Sequence, residues 1–155
     1  SADYMLGHTL AYMIIAVVQV ILVLAASYMI GYRPLTGIAG IAFTFVITLA
    51  FALVSVGFGL ISATISKSAE TASGISFAFI MPQLFLGTFM PLGGGIEVFA
   101  NFMPSKHLTD AITTLFLRGA PITAPAIWVE LAIVSVVGVL LIAVGVLLFE
   151  RFGSR

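Results

Sequence analysis

The sequence has no cysteine and almost no charge. Six basic and six acidic residues in 155 make it 8% charged and 61% hydrophobic, whereas a soluble domain is roughly 25% charged and 45–50% apolar. A water-soluble fold could not hide that much apolar surface. Without cysteine there are no disulfides, thiolate metal sites or palmitoylation, and nothing is learned about compartment, because a bundle held by lipid needs no staples. A net charge of zero argues against a nucleic-acid groove and against a polybasic patch for anionic lipid. Also missing are a Gly-x-Ser-x-Gly elbow, a His-Glu-x-x-His pair and a Gly-x-x-x-x-Gly-Lys-Ser/Thr phosphate loop. The chain therefore binds no nucleotide by itself, and no catalytic residue is assigned. His8 and His107 stand apart from each other and from any acid at metal-ligand spacing, so no metal site is expected.

What is present is a set of long charge-free tracts. Residues 9–32 and 34–66 carry no charge, and each is long enough, at ~1.5 Å rise per residue, to cross a hydrocarbon core ~30 Å thick. Gly31-Tyr32-Arg33-Pro34 closes the first span, since proline disfavours helix in the residue before it and Tyr32 and Arg33 suit a headgroup interface. Ser66-Lys67-Ser68-Ala69-Glu70 closes the second. Ser68 is placed to cap the next helix, with Glu70 in its first turn, and Pro82 is expected to kink that third span. The stretch from Ile96 to Pro125 is too polar to cross. Two short helices fit it, about 96–103 and 105–118, the second stopped by Gly119 and Pro121. Pro125 and Trp128 then open the last span.

These features predict an all-α polytopic membrane helix bundle. Its four transmembrane helices cover about 9–32, 38–64, 70–91 and 126–149, with a re-entrant or interfacial helical hairpin at about 95–119, all in a single transmembrane domain over 1–155. Four crossings put both termini on one side, but the positive residues divide evenly between the two sides and do not orient the chain. Ser1 in place of Met, and a first apolar run too long for a signal-peptide core, read as a piece of a longer protein.

Several residues inside the spans could carry function. Thr44, Thr48, Ala52, Ser55, Gly59 and Ser62 fall on one helical face, and Ser135, Gly138, Ile142 and Gly145 repeat the arrangement in the last span. Close helix packing explains both stripes, and lining a solute path is the alternative. Gln19 and Gln83, the only two glutamines, need partners in an apolar span. An interhelical hydrogen bond is the simpler reading of each, although Gln83 also lies beside Pro82 on a helix rich in Phe77, Phe79, Phe85 and Phe89. Glu130 is the one carboxylate inside a span. A proton relay there needs a second acid or a histidine nearby in the fold, and the sequence offers none.

Two ordered sets of motifs carry a family resemblance. The first runs from Gly57-Phe58-Gly59-Leu60-Ile61-Ser62 through Ser66-Lys67-Ser68-Ala69-Glu70-Thr71-Ala72-Ser73-Gly74-Ile75 to Met81-Pro82-Gln83-Leu84-Phe85-Leu86-Gly87-Thr88-Phe89-Met90-Pro91-Leu92. The second runs from Met103-Pro104 through Leu108-Thr109-Asp110-Ala111 to Leu117-Arg118-Gly119-Ala120. In this order and spacing the chain resembles the permease subunit of type-2 ABC exporters, as the last four of that family's six spans.

The resemblance implies a plasma-membrane permease that dimerises with a second copy or a paralogue and exports a small amphipathic solute. ATP and Mg would sit on a separate ATP-binding-cassette subunit, leaving no cofactor in this chain. It places both termini in the cytoplasm and the hairpin outside. Asp3, Tyr4 and His8 become coupling candidates at the tail of a cytoplasmic coupling helix, and Lys67, Ser68 and Glu70 a second contact with the ATPase. Phe77, Gln83 and Phe89 become translocation-path candidates, while Pro104, Asp110 and Arg118 fix the hairpin. Family members often carry an aromatic at the position of His107 and an arginine at that of Thr113, so an ion pair within the hairpin is expected to differ here. Two rival readings remain on the residues alone: an ion- or proton-coupled carrier using Glu130 and broken helices, and a non-transporting membrane scaffold.

Overall fold

The computed structural model describes residues 2–33, 35–89 and 95–152, without the side chains of Ala2, Asp3, Met5 and Phe89. Among the described residues every regular element is helical: α1 (Ala2–Met29), α2 (Gly37–Ile65), α3 (Ala69–Leu84) continued by a π-helical turn (Phe85–Phe89), α4 (Gly95–Ala100), α5 (Pro104–Phe116) and α6 (Pro125–Phe152). Four segments, Leu6–Met29, Gly37–Ile65, Ala69–Thr88 and Pro125–Phe152, are long and apolar enough to cross a membrane. The protein is an all-α polytopic bundle.

The helix ends follow local chemistry. Gly31, at φ +99°, turns the chain out of α1. Ser68 caps α3, its Oγ accepting from the Thr71 amide at 3.2 Å, with Glu70 in the first turn. Pro104 opens α5, where its missing N–H leaves no gap. Gly119, at φ +64°, stops α5, and the Leu117 and Arg118 amides both return to the Thr113 carbonyl. α1 starts well before the charge-free tract and runs unbroken through Gly7.

In lipid, apolar side chains gain little by leaving the hydrocarbon, so helices associate through close contact and hydrogen bonds. The α2–α6 seam shows this. A Cβ on Gly57 would lie 2.6 Å from Leu141 Cβ, one on Gly138 would meet Leu53 Cβ at 3.0 Å and the Ala50 carbonyl at 3.2 Å, and one on Gly145 would meet Leu60 Cβ at 3.0 Å. Ala50, Val54 and Val134 fill the middle of the seam, and Phe43, Ile47, Ala111, Leu115 and Ile127 join α2, α5 and α6 at one end.

The last-span stripe is thus a packing face through Gly138 and Gly145, but the α2 stripe is not its counterpart. The receiving glycine is Gly57, on the opposite side of α2, while Ser55 and Gly59 are exposed and a Cβ on Gly59 would meet nothing within 4 Å. Three of the stripe's four hydroxyls turn inward along their own helix instead. Thr48, Ser55 and Ser62 donate to the Thr44, Phe51 and Phe58 carbonyls at 2.7, 3.4 and 2.8 Å, which satisfies them without water or a neighbour.

Candidate functional site

A groove of about 1080 Å³ lies between α1 and α2, closed in part by α5 and α6. Tyr4, His8 and Tyr12 line it near the start of α1, with Ser66 from the end of α2 and Phe149 and Phe152 from the end of α6. Gln19 lies midway, and Ser27, Thr44 and Phe116 lie towards the other end. The α2 stripe of Thr44, Thr48, Ala52, Ser55 and Gly59 forms one wall. Thr44 is 4% exposed and its Oγ1 has no hydrogen-bond partner, the one stripe hydroxyl left open. The groove is apolar with widely spaced polar atoms, which suits an amphipathic occupant.

The coupling candidates gather at the terminal end of the bundle. Because α1 and α2 are antiparallel neighbours, Tyr4 and His8 share an end with the exposed loop Lys67, Ser68 and Glu70. The Tyr4 and His8 rings are in contact, tilted at 44° with centroids 4.3 Å apart. Asp3 belongs to α1, and its side chain lies outside the described residues.

The path candidates on α3 separate. Phe77 is 60% exposed, whereas Gln83 is 8% exposed and faces the hairpin. Gln83 Oε1 accepts from the Ser105 amide at 3.0 Å, and the Ser105 hydroxyl donates to the Gln83 carbonyl at 2.7 Å. The interhelical bond therefore accounts for Gln83. The Phe89 side chain lies outside the described residues, as do Met90–Gly94. Gly87 permits this approach, since a Cβ there would lie 1.8 Å from Ser105 Oγ and 2.9 Å from the Lys106 nitrogen. α3 runs through Pro82, and the π turn follows one turn later.

The hairpin is tied down by polar contacts. Pro104 is buried, Arg118 is exposed beyond the end of α5, and Asp110 pairs with Lys106 at 2.8 Å rather than with an arginine. That hydrogen bond raises the Lys106 ammonium above its ordinary value, outweighing the opposing effect of burial. His107, expected to stand alone, reaches α6. Its Nδ1 lies 2.5 Å from Glu130 Oε2, and its Nε2 lies 2.9 Å from the Asn101 carbonyl. Twenty-three positions separate the two side chains, which is why no spacing rule pairs them.

The family model described as ABC-2 type transporter matches residues 1–117. The chain belongs to this family. An ABC-2 membrane domain is a transport component rather than a catalyst, and such domains work with ATP-binding-cassette subunits. The chain is also 28% identical over 153 residues to ABC transporter G family member 20 of Dictyostelium discoideum, covering 95% of this chain and 20% of that relative. It thus spans about a fifth of the relative's length. No solved structure matches. As an ABC-2 permease, the chain is a multi-pass membrane protein of an ABC transporter.

Proposed function

We propose that this ABC-2 domain is the membrane half of an exporter that moves a small amphipathic solute out of the cytoplasm, driven by ATP hydrolysed on a partner subunit. The observation that carries this reading is the groove between α1 and α2. It follows both helices through most of their apolar length, and small polar residues are spaced along an otherwise apolar and aromatic lining. A path of this kind accepts apolar shapes and gives their polar ends intermittent partners.

The terminal end, with Asp3, Tyr4, His8, Lys67, Ser68 and Glu70, faces the cytoplasm in this reading and meets the ATPase. The α4–α5 hairpin re-enters the outer leaflet at the opposite end, where the Gln83–Ser105 and His107–Glu130 contacts shield its polar groups from lipid. The exposed face of α3 that carries Phe77 meets a second permease copy or a paralogue in the plasma membrane, which leaves Phe77 and Phe89 as path candidates at that meeting. The test is solute uptake into inverted vesicles holding the full-length transporter and its ATPase. Uptake should require ATP and survive collapse of the proton gradient. Uptake that needs the gradient and ignores ATP would point to the rival carrier.

A further inference from the structure

His107 touches three elements, and proton counting makes the contact conditional. Its Nε2 faces a backbone carbonyl, that of Asn101 at the end of α4, which can only accept. Its Nδ1 faces the Glu130 carboxyl on α6. An imidazole with one N–H can donate to one of these acceptors but not both, and the other side then sets a lone pair against an oxygen. Both contacts exist together only when a second proton sits between Nδ1 and Oε2, whether it is assigned to the ring or to the carboxyl.

We infer that His107 and Glu130 form a proton-binding site that ties α4 and α5 to the head of α6. Loaded, the pair is neutral overall: an imidazolium beside a carboxylate, or an imidazole beside a carboxylic acid. When the proton passes to solvent the pair carries one negative charge. The remaining N–H stays with the charged acceptor, because a charge-assisted bond is the stronger one, and the Asn101 carbonyl is released. The device acts on α4 and the turn after it, while α5 remains bound to α6 through Ala111, Leu115 and Ile127.

The site is placed to exchange a proton. The His107 and Glu130 side chains are 13% and 23% exposed, so the pair is largely but not fully shielded. The charged groups around it are Glu97 on α4 and Lys106 and Asp110 on α5, and Lys106 feels the carboxylates of Asp110, Glu130 and Glu97. α2 and the π turn contribute no titratable group, and the acid of α3, Glu70, lies at its opposite end. The inference requires no particular solute, direction or energy source.

The experiment uses the full-length protein in lipid nanodiscs, without nucleotide or solute. Amide hydrogen exchange over residues 95–106 is followed between about pH 5 and pH 9 and corrected for intrinsic exchange. Protection of α4 should fall roughly tenfold as the pH rises, the scale of one charge-assisted hydrogen bond, while α6 is unchanged. His107→Gln, which cannot gain or lose the proton, should abolish the transition. Glu130→Gln should also remove it and leave α4 protected at high pH, since the side-chain amide donates to Nδ1 and leaves the single ring N–H for the Asn101 carbonyl. Nitrogen-15 spectra of labelled histidine, with His107 assigned by the variant, should show Nε2 protonated, and Nδ1 either protonated or accepting a hydrogen bond, wherever α4 is protected. A flat wild-type profile, a transition that His107→Gln retains, or an Nε2 without a proton in the protected state each overturns the inference. If His107→Gln fails to fold, the loss of the transition in Glu130→Gln and the wild-type spectrum still decide it.

Discussion

Ser105 meets Gln83 twice, its amide donating to the side-chain oxygen and its hydroxyl to the main-chain carbonyl. The two bonds close a ring between the end of α3 and the first turn of α5, where helix amides have no partner within their own helix. Gln83→Leu removes the acceptor and leaves the buried Ser105 amide unpaired. The expected loss is about 1–3 kcal/mol, read as a lower thermal midpoint in detergent. Ser105→Ala, which keeps its amide bond, should lose less.

Gly87 makes that ring possible. A methyl group there would strike Ser105 Oγ, which is held in place by its own hydrogen bond, and would crowd the Lys106 backbone. Gly87→Ala should therefore cost about 1–3 kcal/mol and loosen α5, detectable as faster amide exchange at residues 105–108. Retained protection would show that the π turn shifts to make room.

Two glycines on α2, two positions apart, should behave oppositely. Gly57→Ala meets the Leu141 side chain and backbone and should destabilise the α2–α6 seam by about 1–3 kcal/mol. Gly59→Ala points into the groove, meets nothing, and should be neutral or slightly stabilising, because alanine is the better helix former by about 1 kcal/mol. The pair is compared by thermal unfolding in the same detergent. A similar cost at both sites would argue against the packing assigned to α2.

The loop from Lys67 to Glu70 offers a separation of stability from function. Lys67→Ala with Glu70→Ala alters exposed side chains and should leave the melting midpoint within about 0.5 kcal/mol equivalent of the parent. ATP-driven uptake should nevertheless fall in the assembled transporter if this loop is the coupling contact. Ser68→Ala should instead cost about 1 kcal/mol through loss of the α3 cap.

Much of this architecture was legible because lipid makes local rules strict. Charge-free tracts set the spans, Ser68 set a cap, and Gly31 and Gly119 set two stops, each by chemistry contained within a few residues. The contacts that join helices were less legible. Gln83 announced that it needed a partner, but nothing in the sequence named Ser105. His107 and Glu130 lie on different helices, and their approach depends on how α5 settles against α6. The small residues of α2 were visible as a stripe, yet the hydroxyls of Thr48, Ser55 and Ser62 are satisfied by their own helix. The close contact went to Gly57, whose partners lie on α6. The π turn had no signal beyond its nearness to Pro82.

Pro82 and the π turn lie in successive turns of one helix, and the first has no N–H to bond the preceding turn. On one side of them Phe79 stacks on Phe58 of α2, with centroids 4.8 Å apart. Beyond Pro82, Gln83 and, within the π turn itself, Gly87 hold the α5 end of the hairpin. The third span is therefore a jointed strut with its halves fastened to different bodies, and flexing at the joint can tilt the hairpin without pulling α3 away from α2.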